Sequence, residues 1–216
     1  MLLRLGINLL DLVEGPRLVV DETRARLFDE ALAAAQEDGP VDYRLPYPKH
    51  EFLSYVVHHR GLLAHGSNLD NIVLFEPRQA NDSGTYLTGV YAANDGIWPM
   101  FFATVARGGG RLGLYNGSHH IGRGDRLRRF YLFSITKDPE DPASWTTGTV
   151  YLLPRETFRH IWGNEWVSDV PVRPVARLCV TPDDFPFRHA TVRFSIGEPL
   201  RLIRRRFRKH ATSALG

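Results

Sequence analysis

The chain has little cysteine and no long apolar run. Cys179 is the only cysteine among 216 residues, which excludes an intrachain disulfide framework and a cysteine-rich zinc site. We expect Cys179 to be a small residue buried on a strand. The apolar stretch INLLDLV near the start is interrupted by Asp11 and followed by Glu14, so neither a signal peptide nor a transmembrane helix is predicted. These absences favour a cytoplasmic protein.

Several catalytic and ligand-binding motifs are missing as well. The sequence has no Gly-x-Ser-x-Gly elbow, no Gly-x-x-x-x-Gly-Lys-Ser/Thr phosphate loop and no His-Glu-x-x-His, and GGGRLG has the wrong spacing for a dinucleotide fingerprint. Two histidine pairs are present, His58-His59 and His119-His120. Because adjacent side chains on one element point in different directions, neither pair would chelate one metal well. The sequence therefore predicts no metal site.

Charge is distributed unevenly along the chain. There are 27 basic and 24 acidic side chains, and residues 201–210 hold six of the basic ones and no acidic one. The rest of the chain is therefore net acidic. Such a tail suits nucleic acid, an acidic protein surface or lipid headgroups, or is a solvated terminal helix. A solvated terminal helix is the favoured interpretation, and no membrane partner is predicted. The alternative is a contact with an acidic surface or nucleic acid through Arg201, Arg204, Arg205, Arg206, Arg208 and Lys209.

Two helices are predicted before the main body of the chain. Asp21 is a suitable N-cap for a helix through ETRARLFDEALAAAQED, which would stop at Gly39-Pro40. Its apolar face would hold Leu27, Ala31, Leu32 and Ala35. After a proline-rich passage, KHEFLSYVVHH predicts a second helix that ends at Gly61. We expect this helix to bury Phe52, Val56 and His59.

From about residue 61 the pattern changes to strands. Short stretches rich in β-branched and aromatic residues alternate with turn residues; they are GLLAH, TYLTGVYAA, RRFYLFSIT, GTVYLLP, NEWVSDVPV, VARLCVT and ATVRFSI. One helix, GIWPMFFATVAR, interrupts them, capped by Asn94 or Asp95 and tolerating Pro99 near its first turn. The segment RGGGRLGLYNGSHHIGRGD predicts a long loop or a loose hairpin. The predicted class is α+β, with a mixed, mainly antiparallel sheet and flanking helices.

Three pieces of the chain carry the candidate functional residues. LLAHGS ends a short apolar strand, GVYAAND leads from a strand into the interrupting helix, and GNEW begins a later strand. Taken singly, each has an ordinary interpretation: a histidine bonded to backbone, a core tyrosine and a surface carboxylate. In chain order the three pieces and the helix supply His65, Gly66, Ser67, Tyr91, Phe101, Phe102 and Glu165.

Together these pieces resemble the His-Tyr-Glu branch of the ADP-ribosyltransferases, which includes the poly(ADP-ribose) polymerases and the diphthamide-modifying toxins. The resemblance covers about residues 50–182. LLAHGSNLDNI is similar to the first motif of that family, TGVYAANDGIWPMFFA to the second and GNEW to the third. It implies the split β-sheet core of that fold. We expect an N-terminal helical segment over 1–45, a catalytic domain over 46–200 and the basic tail over 201–216.

The resemblance also implies a role for each candidate residue. NAD would be the co-substrate, without a metal. Gly66 would bind the nicotinamide carboxamide through its own N–H and C=O, with help from the Ser67 hydroxyl, and His65 would bind a ribose hydroxyl. Tyr91 and either Phe101 or Phe102 would enclose the nicotinamide ring. Glu165 would stabilise the positive charge that develops on the ribose as the glycosidic bond breaks. The catalytic residues would be Glu165, His65 and Tyr91.

Two departures from relatives narrow the expected reaction. Arginine-modifying enzymes of the sister branch place Glu or Gln two residues before the catalytic glutamate, where this chain has Gly163, so an arginine acceptor is not supported. The first 45 residues are too few for the helical regulatory domain of the poly(ADP-ribose) polymerases, which favours single transfer over chain elongation. The expected activity is mono-ADP-ribosylation of a protein or nucleic acid.

Other functions remain open on the sequence. The same fold serves RNA 2′-phosphotransferases, although these use paired basic residues where this chain has Glu165. NAD hydrolysis by a toxin is a further version, in which water is the acceptor. If the protein is not an enzyme, two functions remain. The pocket would bind NAD, ADP-ribose or a nucleic-acid end without catalysis, or the protein would bind nucleic acid through residues 201–210.

Overall fold

The computed structural model describes residues 12–35, 39–79, 88–108, 112–121 and 128–193. Three helices lie in these ranges: α1 over Glu22–Ala34, α2 over Lys49–His59 and α3 over Trp98–Thr104. None of the helices described there is long and apolar enough to cross a membrane. The predicted basic tail lies outside the described residues, and the division of the chain into three parts stays a prediction.

The described ranges also contain eleven strands, which form a larger and a smaller sheet. They are β1 (Val13–Glu14), β2 (Leu63–Ser67), β3 (Arg78–Gln79), β4 (Thr88–Ala93), β5 (Leu114–Ile121), β6 (Arg128–Ile135), β7 (Gly148–Leu153), β8 (Phe158–Trp162), β9 (Glu165–Ser168), β10 (Ala176–Val180) and β11 (Val192–Arg193).

The larger sheet brings the candidate residues together. Its strand order is β10–β7–β2–β4–β9–β8, with β3 also paired to β4, and every pairing in it is antiparallel. His65, Gly66 and Ser67 lie on β2, Tyr91 lies on β4, and Glu165 begins β9. Three neighbouring strands therefore carry the predicted motifs, although β4 begins 21 residues and β9 nearly 100 residues after the end of β2.

The smaller sheet is built on one long hairpin. β5 and β6 pair through eight residues each, while β1 and β11 pair with β6 along its opposite edge, at Phe130–Tyr131 and Ser134–Ile135. The pairing of β11 with β6 is parallel and all others in this sheet are antiparallel. Three helices and mainly antiparallel sheets confirm the predicted α+β class.

Apolar clusters cover both faces of the larger sheet. On one face, Ala64 and Ala93 belong to the main core, which α2 and α3 complete; we call this the α3 face. On the other face, Leu63 and Ala92 pack with Phe75 in a smaller cluster; we call this the Phe75 face. Since side chains of a strand alternate between faces, these residues fix the direction of every other side chain on β2 and β4.

The helices agree with the prediction in position and differ in detail. The Asp21 side chain accepts a hydrogen bond from the Arg24 N–H at 2.8 Å, as expected of an N-cap. Phe28, rather than Leu27, is the side chain that α1 buries completely. The prediction that α2 buries His59 is wrong. His59 is exposed because α2 leaves the core in its last turn, and its ring stacks on Tyr55 with centroids 5.1 Å apart.

The predicted strands are present, and the structure differs from the prediction in some details. Within the part of the glycine-rich segment that the structure describes, Leu114–Ile121 form β5 and pair with β6, so the hairpin alternative is the correct one there. β1, β3 and β8 were not predicted: β1 and β3 have only two residues each, and in FRHIW the exposed polar residues Arg159 and His160 are adjacent, so the stretch lacks the alternation of a strand. Cys179 is exposed, contrary to the prediction. The reason is that β10 turns Leu178 and Val180 into the core, so the residue between them faces outward.

Candidate functional site

The two edges of β2 are paired very differently. Toward β7, every residue of β2 pairs, from Leu63↔Leu153 to Ser67↔Thr149. Toward β4, the register contains the single pair Ala64↔Ala93, although both strands are fully described. Continuing that register would pair Gly66 with Tyr91, and this pair is not formed. The sheet therefore divides beside Gly66, and we call this place the β2–β4 gap.

The direction of the peptide groups of β2 follows from the hydrogen bonds of β7 and β10, on the side of β2 away from β4. The N–H and C=O of Arg177 on β10 bond to Gly39 and Val41, away from β7. Because backbone direction alternates along antiparallel strands, its partner Tyr151 directs its own groups toward β2, where it bonds with His65. The N–H and C=O groups of the residues on either side of His65 then point away from β7. The N–H and C=O of Gly66 are thus directed into the β2–β4 gap.

A hydrogen bond from the His65 side chain to β4 replaces the missing bond of the β2–β4 ladder. Its Nδ1 lies 2.7 Å from the Tyr91 carbonyl oxygen. A carbonyl only accepts, so Nδ1 carries the hydrogen and Nε2 of the neutral ring is an acceptor. Burial, opposed by the bond to Tyr91, lowers the pKa of His65, and the charges of Arg107 and Arg78 lower it further. The imidazole is therefore neutral at neutral pH and suited to accept from a hydroxyl group.

The predicted residues lie on both faces of the sheet. His65 follows Ala64 and contacts Phe75, with ring centroids 4.8 Å apart, so its side chain is on the Phe75 face. Tyr91, two residues before Ala93, and Glu165, paired with Ala93, lie on the α3 face. Tyr91 and Glu165 are diagonal neighbours across β4 and β9, with Cβ atoms roughly 7 Å apart. The structure thus brings Tyr91 and Glu165 together and puts the His65 ring across the sheet from them.

Gly66 is required by packing before any ligand is considered. A Cβ at this position would lie 1.8 Å from the carbonyl oxygen of Pro99 and 2.9 Å from the Ala103 nitrogen, both in α3. No side chain fits there unless the helix moves. The glycine therefore allows α3 to lie directly on β2, while its peptide groups face the gap in the plane of the sheet.

Ser67 and Asn68 continue from the glycine into the turn after β2. The Ser67 hydroxyl accepts from the Leu69 N–H at 3.1 Å, which leaves its own O–H to act as a donor. Asn68 donates to the carbonyls of Ala103 and Val105 and so binds the C-terminal end of α3. Sequence reasoning missed Asn68, because its partners lie more than 30 residues away.

The two aromatic candidates on α3 differ in access. Phe101 has an exposed fraction of 0% and packs against Phe133, with centroids 4.8 Å apart. Phe102 is partly exposed, and the Arg107 guanidinium lies 5.7 Å from its ring centroid. A ligand can touch Phe102 without opening the core. Of the pair left open by the sequence, Phe102 is the better stacking candidate.

A buried carboxylate fixes the start of α3. The Asp95 side chain is fully buried and accepts from the N–H groups of Ile97 and Trp98 at 2.7 and 2.8 Å. Its other oxygen accepts from the Tyr131 hydroxyl at 2.7 Å. Burial and the neighbouring carboxylate raise the pKa of Tyr131 well above its usual range, so this hydroxyl stays protonated as a donor. Of the two predicted caps, Asp95 bonds the first N–H of α3, although the N-cap position itself is Ile97, which has no side-chain cap. Tyr131 is a partner that sequence reasoning missed.

Polar bonds join the smaller sheet to the region around Glu165. Asn164, directly before Glu165, donates to the Ser118 hydroxyl at 2.6 Å, and the Trp98 indole N–H donates to Asn116 at 2.7 Å. Across the turn, Trp162 pairs with Glu165 and has an exposed fraction of 66%. Gly163 makes this tight turn with φ +54°, a conformation that favours glycine. Glu165 itself is partly buried. Because its neighbour Asn164 bonds to Ser118 of the smaller sheet, Glu165 lies at the junction of both sheets.

Comparison with models of protein families, with curated proteins and with solved structures finds no match to this chain. Across the described ranges, no group of three or more His, Cys, Asp or Glu side chains is arranged to hold a metal ion. The case for a function therefore rests on the geometry of the β2–β4 gap and on the residues beside it.

Proposed function

We propose that this protein is an NAD-dependent mono-ADP-ribosyltransferase with the split sheet of that fold, acting in the cytoplasm on a protein or nucleic-acid acceptor. One observation carries the proposal: the β2–β4 ladder ends at Ala64↔Ala93, beside Gly66. The peptide groups directed into the gap offer one donor and one acceptor. A primary carboxamide, which has both kinds of group in one plane, satisfies them together, as a neighbouring strand would.

The distribution of residues over both faces suits a long ligand. A dinucleotide passing through the gap would place its nicotinamide half on the α3 face, near Tyr91 and Glu165. Its adenosine half would reach the Phe75 face, where Nε2 of His65 accepts from a ribose hydroxyl. Tyr91 and Phe102 supply aromatic faces for the cationic pyridinium, with roughly 0.5 to 2 kcal/mol for each contact. The split site therefore matches two different ends of one molecule.

The chemistry requires charge stabilisation more than acid catalysis. As the bond between ribose C1′ and the pyridinium nitrogen breaks, its electron pair leaves with nicotinamide, which departs neutral. Positive charge then develops on the ribose. The Glu165 carboxylate stabilises that charge and polarises the 2′-hydroxyl. The acceptor's nucleophile forms the new bond to C1′ and loses a proton to solvent.

The test is nicotinamide release from NAD by the purified protein. We expect Glu165→Gln to slow release by about a hundredfold to a thousandfold, since one well-aimed electrostatic group is worth roughly 2.7 to 4 kcal/mol in the transition state. Glu156→Gln is the matched control, because Glu156 is an exposed carboxylate in the turn before β8. The control should retain wild-type activity, and both variants should bind NAD.

The location of the label from adenine-labelled NAD then distinguishes the outcomes. Label on protein or nucleic acid from a lysate supports transfer, and free ADP-ribose alone indicates hydrolysis. A loss smaller than threefold in Glu165→Gln would remove this carboxylate from the mechanism. Stable NAD binding without any release would reject the enzyme and leave a binding module.

A further inference from the structure

Two arginines act on His65 from outside the residues assigned so far. The positive charges of Arg107 and Arg78 both lower the pKa of His65, in addition to burial. They reach it from different elements: Arg107 follows α3, and Arg78 lies on β3. Two cations therefore act on the His65 side of the gap. A dinucleotide in the gap would carry its two negative charges between the two halves that the proposed function assigns to the two faces.

Arg107 is tied to the end of β2. Its backbone N–H donates to Oδ1 of Asn68, the residue after Ser67, at 3.2 Å. Its Nη2 donates to the Phe102 carbonyl oxygen at 3.0 Å, with the guanidinium carbon 5.7 Å from the Phe102 ring centroid. These contacts put the backbone of Arg107 beside the motif that borders the gap and its guanidinium beside the aromatic candidate.

The backbone around Arg107 is held from two further directions. The Ala106 N–H donates to the Ser144 carbonyl at 2.9 Å. Lys137 Nζ donates to the carbonyls of Ala106 and Gly108, at 3.1 Å each. Because both neighbours of Arg107 are fixed, its side chain starts from a defined position, as a preorganised binding group requires. Lys137 brings a third positive charge to the same segment.

Arg78 belongs to the other side of the gap. It pairs across strands with Gly89, two residues before Tyr91 on β4, and its side chain is exposed. Arg107 is anchored to the β2 side through Asn68. Arg78 is thus attached to β4 through the pairing of β3, and Arg107 to the turn after β2 through Asn68, so the two cations belong to elements bound to the two strands that separate at the gap.

We propose that Arg107 and Arg78 form an anion subsite that binds the phosphates of a nucleotide lying in the β2–β4 gap. The inference rests on the proposed function for the identity of that nucleotide as NAD, whose pyrophosphate would bridge the two cations. A guanidinium presents a planar fork of N–H donors that matches two phosphate oxygens. The subsite selects phosphorylated ligands over nucleosides.

The experiment compares ADP with adenosine, which differ only in the phosphates, by titration calorimetry at low ionic strength. Arg107→Gln and Arg78→Gln should each weaken ADP binding by about tenfold or more, since each removes charge-assisted hydrogen bonds. Adenosine affinity should change by less than about twofold. Arg26→Gln, on the exposed face of α1 where Arg26 pairs with Glu30, is the matched control and should leave both ligands unaffected.

Arg107 also contacts the protein, so a structural role must be separated from a ligand role. If the Arg107 side chain acted only by supporting Phe102, its loss would weaken ADP and adenosine equally, and that result would overturn the inference. Unchanged ADP affinity in both variants, or no ADP binding by the wild type, would overturn it too. Arg107→Lys keeps the charge without the fork and should fall between wild type and Arg107→Gln.

The inference and the proposed function fail in different ways. Arginine-dependent ADP binding without nicotinamide release from NAD would reject the enzyme and keep the subsite. Nicotinamide release by a protein whose arginine variants bind ADP normally would keep the enzyme and reject the subsite.

Discussion

The two edges of β2 differ in their strand pairing, although the same five residues form both. Toward β7 the strand is paired along its whole length, and α3 lies so close to both strands that Gly66 on β2 and Gly148 on β7 cannot carry a side chain. Toward β4 one pair forms and the strands then separate. The comparison teaches that a strand can be part of the scaffold on one edge and a ligand-binding edge on the other, because its peptide groups alternate in direction.

The edge of β2 that pairs with β7, which we call the closed edge, depends on the close contact between α3 and β7. The edge toward β4 is the open edge. A Cβ on Gly148 would lie 2.0 Å from the Ala103 carbonyl oxygen and 2.6 Å from that of Ser67. Both are backbone atoms, so Gly148→Ala forces a helix or strand to move. We expect a loss of about 3 kcal/mol in the free energy of unfolding, measured by chemical denaturation. This is the largest effect we predict on the fold.

The control for that change is Gly108→Ala. Nothing lies within 4 Å of a Cβ placed on Gly108, so this variant should stay within about 0.5 kcal/mol of wild type. If Gly148→Ala were equally mild, the contact between α3 and β7 would be looser than described, and the closed edge would lose its explanation.

Hydrogen exchange measures the difference between the two edges directly. The amides of His65 and Ser67 belong to the β7 ladder, whereas the Gly66 amide is directed into the gap. Without ligand, we expect the Gly66 amide to exchange at least about tenfold faster than the other two, since ladder bonds must open before exchange. NAD should slow Gly66 most. Equal protection of all three amides in the free protein would show that the open edge is closed in solution.

The smallest predicted effect concerns pH and the His65 ring at the open edge. Burial, with the charges of Arg107 and Arg78, lowers the pKa of His65, while the unfolded chain takes up that proton near pH 6.5. Below about pH 6.5 the unfolded state therefore binds more protons, and the free energy of unfolding falls as pH decreases. Above that pH the contribution is constant.

Denaturation between pH 7.5 and 5.5 tests this, with His65→Gln as the comparison. Burial lowers the pKa of His50 as well, and its contribution is common to both proteins. The wild type should lose more stability than His65→Gln over this interval. Parallel curves would mean that the imidazole takes up a proton as readily in the folded protein as in the unfolded chain.

Features set by neighbours in the chain were predictable from the sequence. Asp21 caps α1 and Asp95 bonds the start of α3 because their side chains reach N–H groups two or three residues away. The strands that hold His65 and Tyr91 follow from their apolar and β-branched composition. The place of Glu165 at the start of a strand was predicted for the same reason.

Features set by distant contacts were not predictable. The exposure of His59 and Cys179 depends on where α2 and β10 leave the core, which periodicity alone does not reveal. Gly66 was interpreted as an approach for ligand, yet its contact with α3 arises from packing between elements more than 30 residues apart. The division of the candidate residues between two faces required the register of β4 with β2 and β9.

The exposed position of Cys179 gives this protein a practical property. It is the only thiol in the chain, and it faces outward on β10. A maleimide dye or a nitroxide would therefore attach at one defined point without mutagenesis. β10 lies two strands from β2, about 10 Å across the sheet. A reporter at Cys179 would sense occupation of the gap from outside it, which makes fluorescence or spin-label titrations of candidate ligands possible with the natural sequence.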